Sequence, residues 1–238
     1  LARATPGFSG ADLENLVNEA ALYAAKLNKD QLAMSDFEEA KDKVLMGKER
    51  RSLILSEEEK RSTAIHEGGH ALVAKLLPGT DPIHKVTIIP RGRALGLTMQ
   101  LPEEERNSHD QHALMAILCT LLGGRIAEEI VLNQKTTGAA NDIERASAIA
   151  RRMVCEWGMS EAFGPLMFSA PSASGAASGH ILSEQTAQLI DGEVNKLIQQ
   201  AYASAQAILL KNRAHLDNLI AALLEREPLG RKKKKKLI

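Results

Sequence analysis

Two histidines four residues apart, His66 and His70, are the residues in this chain whose spacing could do chemistry. In an α-helix, positions i and i+4 lie one turn apart on the same face, so both imidazoles can bind one metal ion. Glu67 follows the first histidine and lies about 100° around the helix axis, where its carboxylate can act on a water molecule without binding the metal. The pattern His-Glu-x-x-His therefore predicts a zinc site of the metalloprotease type. The competing interpretation is a pair of hydrogen-bonded histidines in a buried helix.

The helix that must carry this motif has a recognisable start and end. Ser56 is followed by three glutamates, which is typical of an N-cap with acidic residues in the first turn. Apolar residues then recur at helical spacing until Pro78-Gly79 ends the pattern. Gly68 and Gly69 oppose the helix, since each costs roughly 1 kcal/mol relative to Ala in a helix interior. We therefore expect the surrounding structure to support this turn.

A catalytic zinc usually takes three protein ligands, so a third ligand must lie elsewhere in the chain. Glu128 and Glu129 are one option, because an acid on a neighbouring helix can complete the motif. Asp142 is the other option, although a carboxylate at the start of a helix is ordinarily explained by the helix dipole. The spacing alone does not decide between them.

Composition favours a helical protein with an aliphatic core. The 238 residues are 44% hydrophobic but only 3% aromatic, so the core must consist of Leu, Ile, Val and Ala. Equal numbers of basic and acidic residues, 30 of each, give no reason to expect a nucleic-acid partner. No signal peptide and no apolar run near the length of a membrane span are present, which predicts a soluble chain.

Patterns along the chain predict a mainly α fold with a small β-sheet. Residues 1–50 contain two short helices, one capped by Ser9 and one starting at Ser35, and form a fragment that needs a larger neighbour. Residues 51–230 form the main domain, and the lysine-rich residues 231–238 form a disordered tail. Within the main domain the predicted strands and helices are 86–89, 95–101, 111–132, 140–157 and 183–225, with a flexible loop at 172–179. Either strand could hold an extended substrate peptide beside the metal.

Several longer motifs together resemble the C-terminal part of FtsH-type AAA+ metalloproteases. The octapeptide from Pro6 to Leu13 resembles the AAA lid, and the segment from His66 to His70 matches the family's zinc helix. The remaining matches are His-Lys-Val-Thr-Ile-Ile-Pro-Arg-Gly, Gly-Gly-Arg-Ile-Ala-Glu-Glu and Thr-Gly-Ala-Ala-Asn-Asp, at residues 84–92, 123–129 and 137–142. The sequence departs from the family's usual pattern at Gly68, a sterically mild change that would loosen the helix.

The resemblance implies a helical zinc-peptidase domain preceded by a helical AAA lid fragment. It implies His66, His70 and Asp142 as zinc ligands, Glu67 as the general base, and Glu128 as a partner that orients a histidine. It further implies an endopeptidase that takes unfolded or membrane-extracted proteins from an ATPase ring on the same polypeptide, as a homohexamer. The full-length protein would be anchored to the bacterial inner membrane with this part on the cytoplasmic face.

Two other functions compete with this one. A noncatalytic hexamerisation module would hold a structural metal, with His109 or His112 closing the fourth position. A zinc hydrolase of small molecules would leave the lid-like segment unexplained. The chain lacks the Gly-x-x-x-x-Gly-Lys-Ser/Thr phosphate loop, so we expect ATP to bind only through a further domain.

Overall fold

The computed structural model describes most of the chain and divides it into two compact units. The described residues are 5–50, 52–53, 55–91, 94–102, 108–168, 182–226 and 229–230. The first unit takes its described residues from 1–67, 81–107 and 218–238, and the second takes them from 68–80 and 108–217. The predicted loop at 172–179 and tail at 231–238 lie outside the described residues.

Seven α-helices and three short strands make up the described part of the chain, which confirms the mainly α fold with a small sheet. They are α1 (Gly10–Lys26), α2 (Met34–Met46), α3 (Glu57–Leu76), β1 (Ile83–Thr87), β2 (Leu97–Gln100), α4 (Gln111–Leu132), α5 (Ala140–Cys155), α6 (Glu184–Lys211), α7 (Arg213–Arg226) and β3 (Leu229–Gly230). None of these helices is both long and apolar enough to span a bilayer.

In the first unit, α1 and α2 pack against each other through a small apolar cluster. Ser9 caps α1 in a reciprocal capping box with Asp12, as the sequence predicts. The buried cluster contains Leu16, Ala20 and Ala40. Leu13 and Val17 of the same helix lie outside this cluster and are 43% and 50% exposed.

The first unit also holds a three-stranded antiparallel sheet in the order β2–β1–β3. The sequence places the first strand at 86–89, whereas β1 begins at Ile83 and ends at Thr87. The strand ends there because the Thr87 hydroxyl accepts the hydrogen bond of the Ile89 amide at 3.1 Å, and Pro90 has no amide hydrogen to donate. The second strand is shorter than predicted but lies within the expected range.

The second unit is a helical assembly in which α4, α5 and α6 pack against one another. Its largest fully buried side chains are aliphatic or Met, which agrees with the low aromatic content: Leu72, Leu118, Ile126, Met153, Ile190, Leu209 and Leu216. The predicted helix at 111–132 is confirmed, and the one at 140–157 ends at Cys155. The helical stretch predicted at 183–225 consists of two helices, α6 and α7. Asn212 separates them and donates a side-chain hydrogen bond to the carbonyl of Ile208.

A buried ion pair in the first unit links α2 to β1. Asp42 accepts hydrogen bonds from Lys85 at 2.5 Å and from His84 at 3.2 Å. Asp42 and Lys85 are only 7% and 8% exposed. Burial raises the pKa of Asp42, but the hydrogen bonds from His84 and Lys85 outweigh burial and hold the pKa below its ordinary value.

Replacing Asp42 by Asn is expected to lower the free energy of unfolding by about 3 kcal/mol, because Lys85 then carries a buried charge without its carboxylate. The loss should be full above about pH 4 and shrink as the pH falls through the lowered pKa of Asp42, since wild-type Asp42 is then neutral too. Urea unfolding at pH 7 and at lower pH measures both effects. Glu57→Gln, in the exposed pair of Glu57 with Lys60, is the control and should cost under about 0.5 kcal/mol. Equal losses of unfolding free energy in Asp42→Asn and Glu57→Gln would contradict a buried ion pair between Asp42 and Lys85.

In the second unit, α3 and α4 meet at two glycines. A Cβ on Gly69 would lie 2.6 Å from the Cβ of Ala127 and closer still to the carbonyl oxygen of Gly123. A Cβ on Gly123 would lie 2.9 Å from the carbonyl oxygen of Gly69. The backbones therefore approach too closely for any side chain at either position.

We expect Gly69→Ala to lower the free energy of unfolding by about 1–3 kcal/mol, because α3 or α4 must move to admit the methyl group. Gly192→Ala in the interior of α6 is the matched control, since nothing lies within 4 Å of its added Cβ. That variant should gain about 0.5–1 kcal/mol from the better helix propensity of Ala. Thermal unfolding of the three proteins measures the difference, and a stabilised Gly69→Ala variant would refute the close contact.

Candidate metal centre

The motif residues lie on one buried turn of α3. Ser56 caps this helix by a reciprocal pair of hydrogen bonds with Glu59, which confirms the predicted start. Ten residues further on, His66 is half-buried, whereas Glu67 and His70 are 6% and 8% exposed. The helix therefore holds two imidazoles and a carboxylate within one turn, largely shielded from solvent.

A third ligand from α5 lies beside the two histidines. His66, His70 and Asp142 each offer one ligand atom, and these atoms lie within 4.8 Å of one another. The Nε2 atom of His70 is 3.3 Å from a carboxylate oxygen of Asp142. Two imidazole nitrogens and one carboxylate oxygen form a donor set that suits zinc. The described residues therefore bring together a set that fits the predicted metal.

The backbone of α4 fixes the orientation of the His70 ring. The Nδ1 atom of His70 is 2.7 Å from the carbonyl oxygen of Thr120. A carbonyl can only accept a hydrogen bond, so Nδ1 must carry the hydrogen, and in the neutral ring Nε2 keeps the lone pair that a metal needs. This orienting group was not predicted, because a backbone carbonyl leaves no signature in the sequence.

Asp142 reaches the histidines because a short turn precedes α5. Residues Thr137–Ala139 form a single 3-10 turn, and Asp142 lies in the first turn of the helix that follows. The side chain of Thr136 accepts a hydrogen bond from the Gly138 amide at 3.1 Å and so holds this turn. Of the acids that the sequence left open as third ligand, Asp142 is the one in the cluster.

Glu128 and Glu129 lie outside the donor set of His66, His70 and Asp142. Glu128 is 1% exposed and accepts hydrogen bonds from the amide and hydroxyl of Thr136 at 3.3 and 2.9 Å. Glu129 pairs with Arg125 at 3.0 Å and accepts a hydrogen bond from Tyr202. Burial raises the pKa of Glu129, but the bonds from Tyr202 and Arg125 outweigh it and lower the pKa. Burial and the Glu129 carboxylate raise the pKa of Tyr202 to about 12.

The histidines considered as a closing fourth ligand do not belong to this donor set. His109 and His112 are both exposed, and the cluster found among the described residues contains neither of them. A three-residue set leaves coordination positions for water or substrate, which distinguishes catalytic zinc sites from structural ones.

The carboxylate of Glu67 lies in the first unit against strand β2. Its Oε2 atom accepts a hydrogen bond from the Thr98 hydroxyl at 2.6 Å. Sequence reasoning did not single out Thr98, because its position in a β-rich run suggested only a strand residue. The strand therefore contributes a polar group to the motif turn.

A histidine pair on one helix, completed by a carboxylate from another helix and accompanied by a glutamate, defines the class of helical zinc-dependent peptidases. The comparison with known families agrees with this class. Residues 53–237 match the model of peptidase family M41, and residues 1–39 match the AAA+ lid domain. The chain belongs to peptidase family M41.

Three curated relatives of the chain are named ATP-dependent zinc metalloproteases. The chain is 58% identical to ATP-dependent zinc metalloprotease FtsH 4 of Sorangium cellulosum over 236 residues, which cover 96% of this chain and 36% of the relative. It is 54% identical to ATP-dependent zinc metalloprotease FtsH of Magnetococcus marinus over 96% of this chain and 35% of that relative. The FtsH protein of Myxococcus xanthus is 51% identical, with 96% and 37% covered. The chain thus spans about a third of the length of these relatives.

Proposed function

We propose that this chain is the peptidase part of an ATP-dependent zinc metalloprotease and hydrolyses peptide bonds of unfolded or membrane-extracted proteins. The observation that carries the proposal is the donor set of His66, His70 and Asp142 with Glu67 on the same helical turn. The relatives named as ATP-dependent zinc metalloproteases support the choice of metal and of reaction.

In this proposal each residue of the motif turn has a defined task. His66, His70 and Asp142 would hold Zn²⁺, which when bound acts as a Lewis acid on the peptide carbonyl and makes water a better nucleophile near pH 7. Glu67 accepts the proton that the attacking water releases and delivers it to the nitrogen of the leaving amine. The Thr120 carbonyl keeps the Nε2 lone pair of His70 directed toward the donor set.

Strand β2 is the better of the two strands as a support for an extended substrate. It lies at one edge of the described sheet, where β1 occupies its other side. An extended peptide can add to such an edge through main-chain hydrogen bonds, as many peptide-binding domains allow. Since β1 already pairs with both β2 and β3, it has no edge to offer within that sheet.

The lid match and the relatives' names support a proposal about the wider assembly. We assign residues 1–50 to an AAA lid fragment with its linker and residues 51–230 to the peptidase domain, in line with the two family matches. An ATPase ring on the same polypeptide would deliver substrates, with six copies forming the active assembly. A membrane anchor elsewhere in the full-length protein would place this part on the cytoplasmic face of the bacterial inner membrane.

The noncatalytic hexamerisation module is the weaker alternative. It needs a closed metal site, and the donor set among the described residues has three members. A buried glutamate immediately after the first histidine is also the residue that a zinc hydrolase with this motif uses as its general base.

Glu67→Gln is expected to lower kcat by at least about 100-fold while zinc content stays near that of the wild type, because the amide cannot accept the proton. The measurement is hydrolysis of an unfolded protein by the full-length enzyme with ATP, together with zinc per chain by atomic absorption. Glu58→Gln, an exposed position on the same helix, is the control and should retain activity. Undiminished proteolysis by Glu67→Gln would remove Glu67 from its assigned role.

Asp142→Ala is expected to weaken zinc binding far more than Glu128→Ala, because only Asp142 belongs to the donor set. A residue that supports a ligand through hydrogen bonds typically costs about 10–100-fold in metal affinity when removed. Competition with a fluorescent chelator measures both affinities, and Glu144→Ala on the exposed side of α5 is the control. If Glu128→Ala is the more damaging change, Asp142 is not the third ligand.

A further inference from the structure

Thr98 of strand β2 and Gly96, one residue before that strand, lie beside the Glu67 side chain, and the proposed reaction gives neither of them a task. The Oγ1 atom of Thr98 lies 2.6 Å from Oε2 of Glu67 and 3.1 Å from the main-chain oxygen of Glu67. Gly96, two residues earlier, is close to the same glutamate on the other side of its carboxylate group. All three residues belong to the first unit.

The absence of a side chain at Gly96 leaves the space that Glu67 occupies. An added Cβ would lie 2.8 Å from Cγ and 2.8 Å from Oε1 of Glu67, and 2.6 Å from Cγ2 of Thr63. Real Cβ contacts are essentially never this short, so a side chain at position 96 would displace the Glu67 side chain. The backbone at Gly96 therefore limits one side of the carboxylate.

The Thr98 hydroxyl limits the position of the Glu67 carboxylate at its Oε2 atom. A hydroxyl has a single hydrogen to donate, and both the shorter distance and the negative charge favour the carboxylate over the main-chain oxygen. Thr98 is itself fixed, because its backbone pairs with the fully buried Val86 of β1. The sheet thus sets the position of the hydroxyl.

We propose that Thr98 is a positioning residue that holds the Glu67 carboxylate in one orientation, with Gly96 providing the space. A glutamate has three side-chain torsions, and freezing them before the reaction removes an entropic cost from proton transfer. The catalytic consequence depends on the proposed role of Glu67 as the base, whereas the contact itself does not. Thr98 has no place in the zinc donor set, so its removal should leave metal binding intact.

The first test compares Thr98→Val, which keeps the shape and β-propensity but lacks the hydroxyl, with Thr98→Ser, which keeps the hydroxyl. In the full-length enzyme, Thr98→Val should lower kcat by about 10–100-fold, with KM and zinc content unchanged, because a hydrogen bond to a charged group is lost. Thr98→Ser should restore kcat to within a few-fold of the wild type. A Val variant as fast as the wild type, or a Ser variant as slow as Val, would overturn the proposal.

The second test does not use activity. In the full-length protein as purified, Thr98→Val should lower Tm by about 2–4 °C in the wild-type background and by clearly less in a Glu67→Ala background, where the acceptor carboxylate is gone. Equal shifts in both backgrounds would mean that the hydroxyl serves the main-chain oxygen, and the proposal would be wrong. If the wild-type enzyme hydrolyses no protein, the proposed function fails, while this double-mutant cycle still decides whether Thr98 holds Glu67.

Discussion

The close approach of two helix backbones at Gly69 and Gly123 is the constraint on which the rest of the site depends. Gly69 precedes His70 by one residue, so the distance between α3 and α4 determines where the His70 ring lies. With a side chain at either glycine the helices would have to separate, and the 2.7 Å contact between His70 and the Thr120 carbonyl would be lost. The roughly 1 kcal/mol that each glycine costs in helix propensity is thus offset by packing that brings a backbone acceptor to the ring.

Hydrogen bonds explain how polar side chains can be buried around the site. Glu67, His70 and Glu128 are each at most 8% exposed, and an unpaired polar group at such a depth costs about 1–3 kcal/mol. Each of them has a partner from a different element: Thr98 for Glu67, the Thr120 carbonyl for His70, and Thr136 for Glu128. The partners are two threonine hydroxyl groups and one backbone carbonyl, so no long side chain is needed to satisfy these buried groups.

Local sequence signals predicted the parts of the fold that depend on local interactions. The starts of α1 and α3 followed from Ser9 and Ser56, because a capping box is completed within four residues. The zinc helix followed from the spacing of its histidines. Two features that depend on distant contacts were not predicted from the residue pattern alone. They are the break between helices at Asn212 and the presence of Asp142, rather than Glu128 or Glu129, in the donor set. Thr98 and the Thr120 carbonyl could not have been found, since their roles arise only when β2 and α4 pack beside α3.

The turn before α5 connects the two acids that the sequence offered as third ligand, Glu128 and Asp142. Glu128 accepts two hydrogen bonds from Thr136, and the Thr136 hydroxyl in turn accepts one from Gly138. These bonds fix the turn at Thr137–Ala139 that directs the start of α5, where Asp142 lies. A Cβ at Gly138 would come within 3.2 Å of the Thr136 hydroxyl oxygen, so this turn also has little room for a larger residue. Glu128 therefore contacts the turn that precedes α5, whereas Asp142 lies in the donor set with His66 and His70.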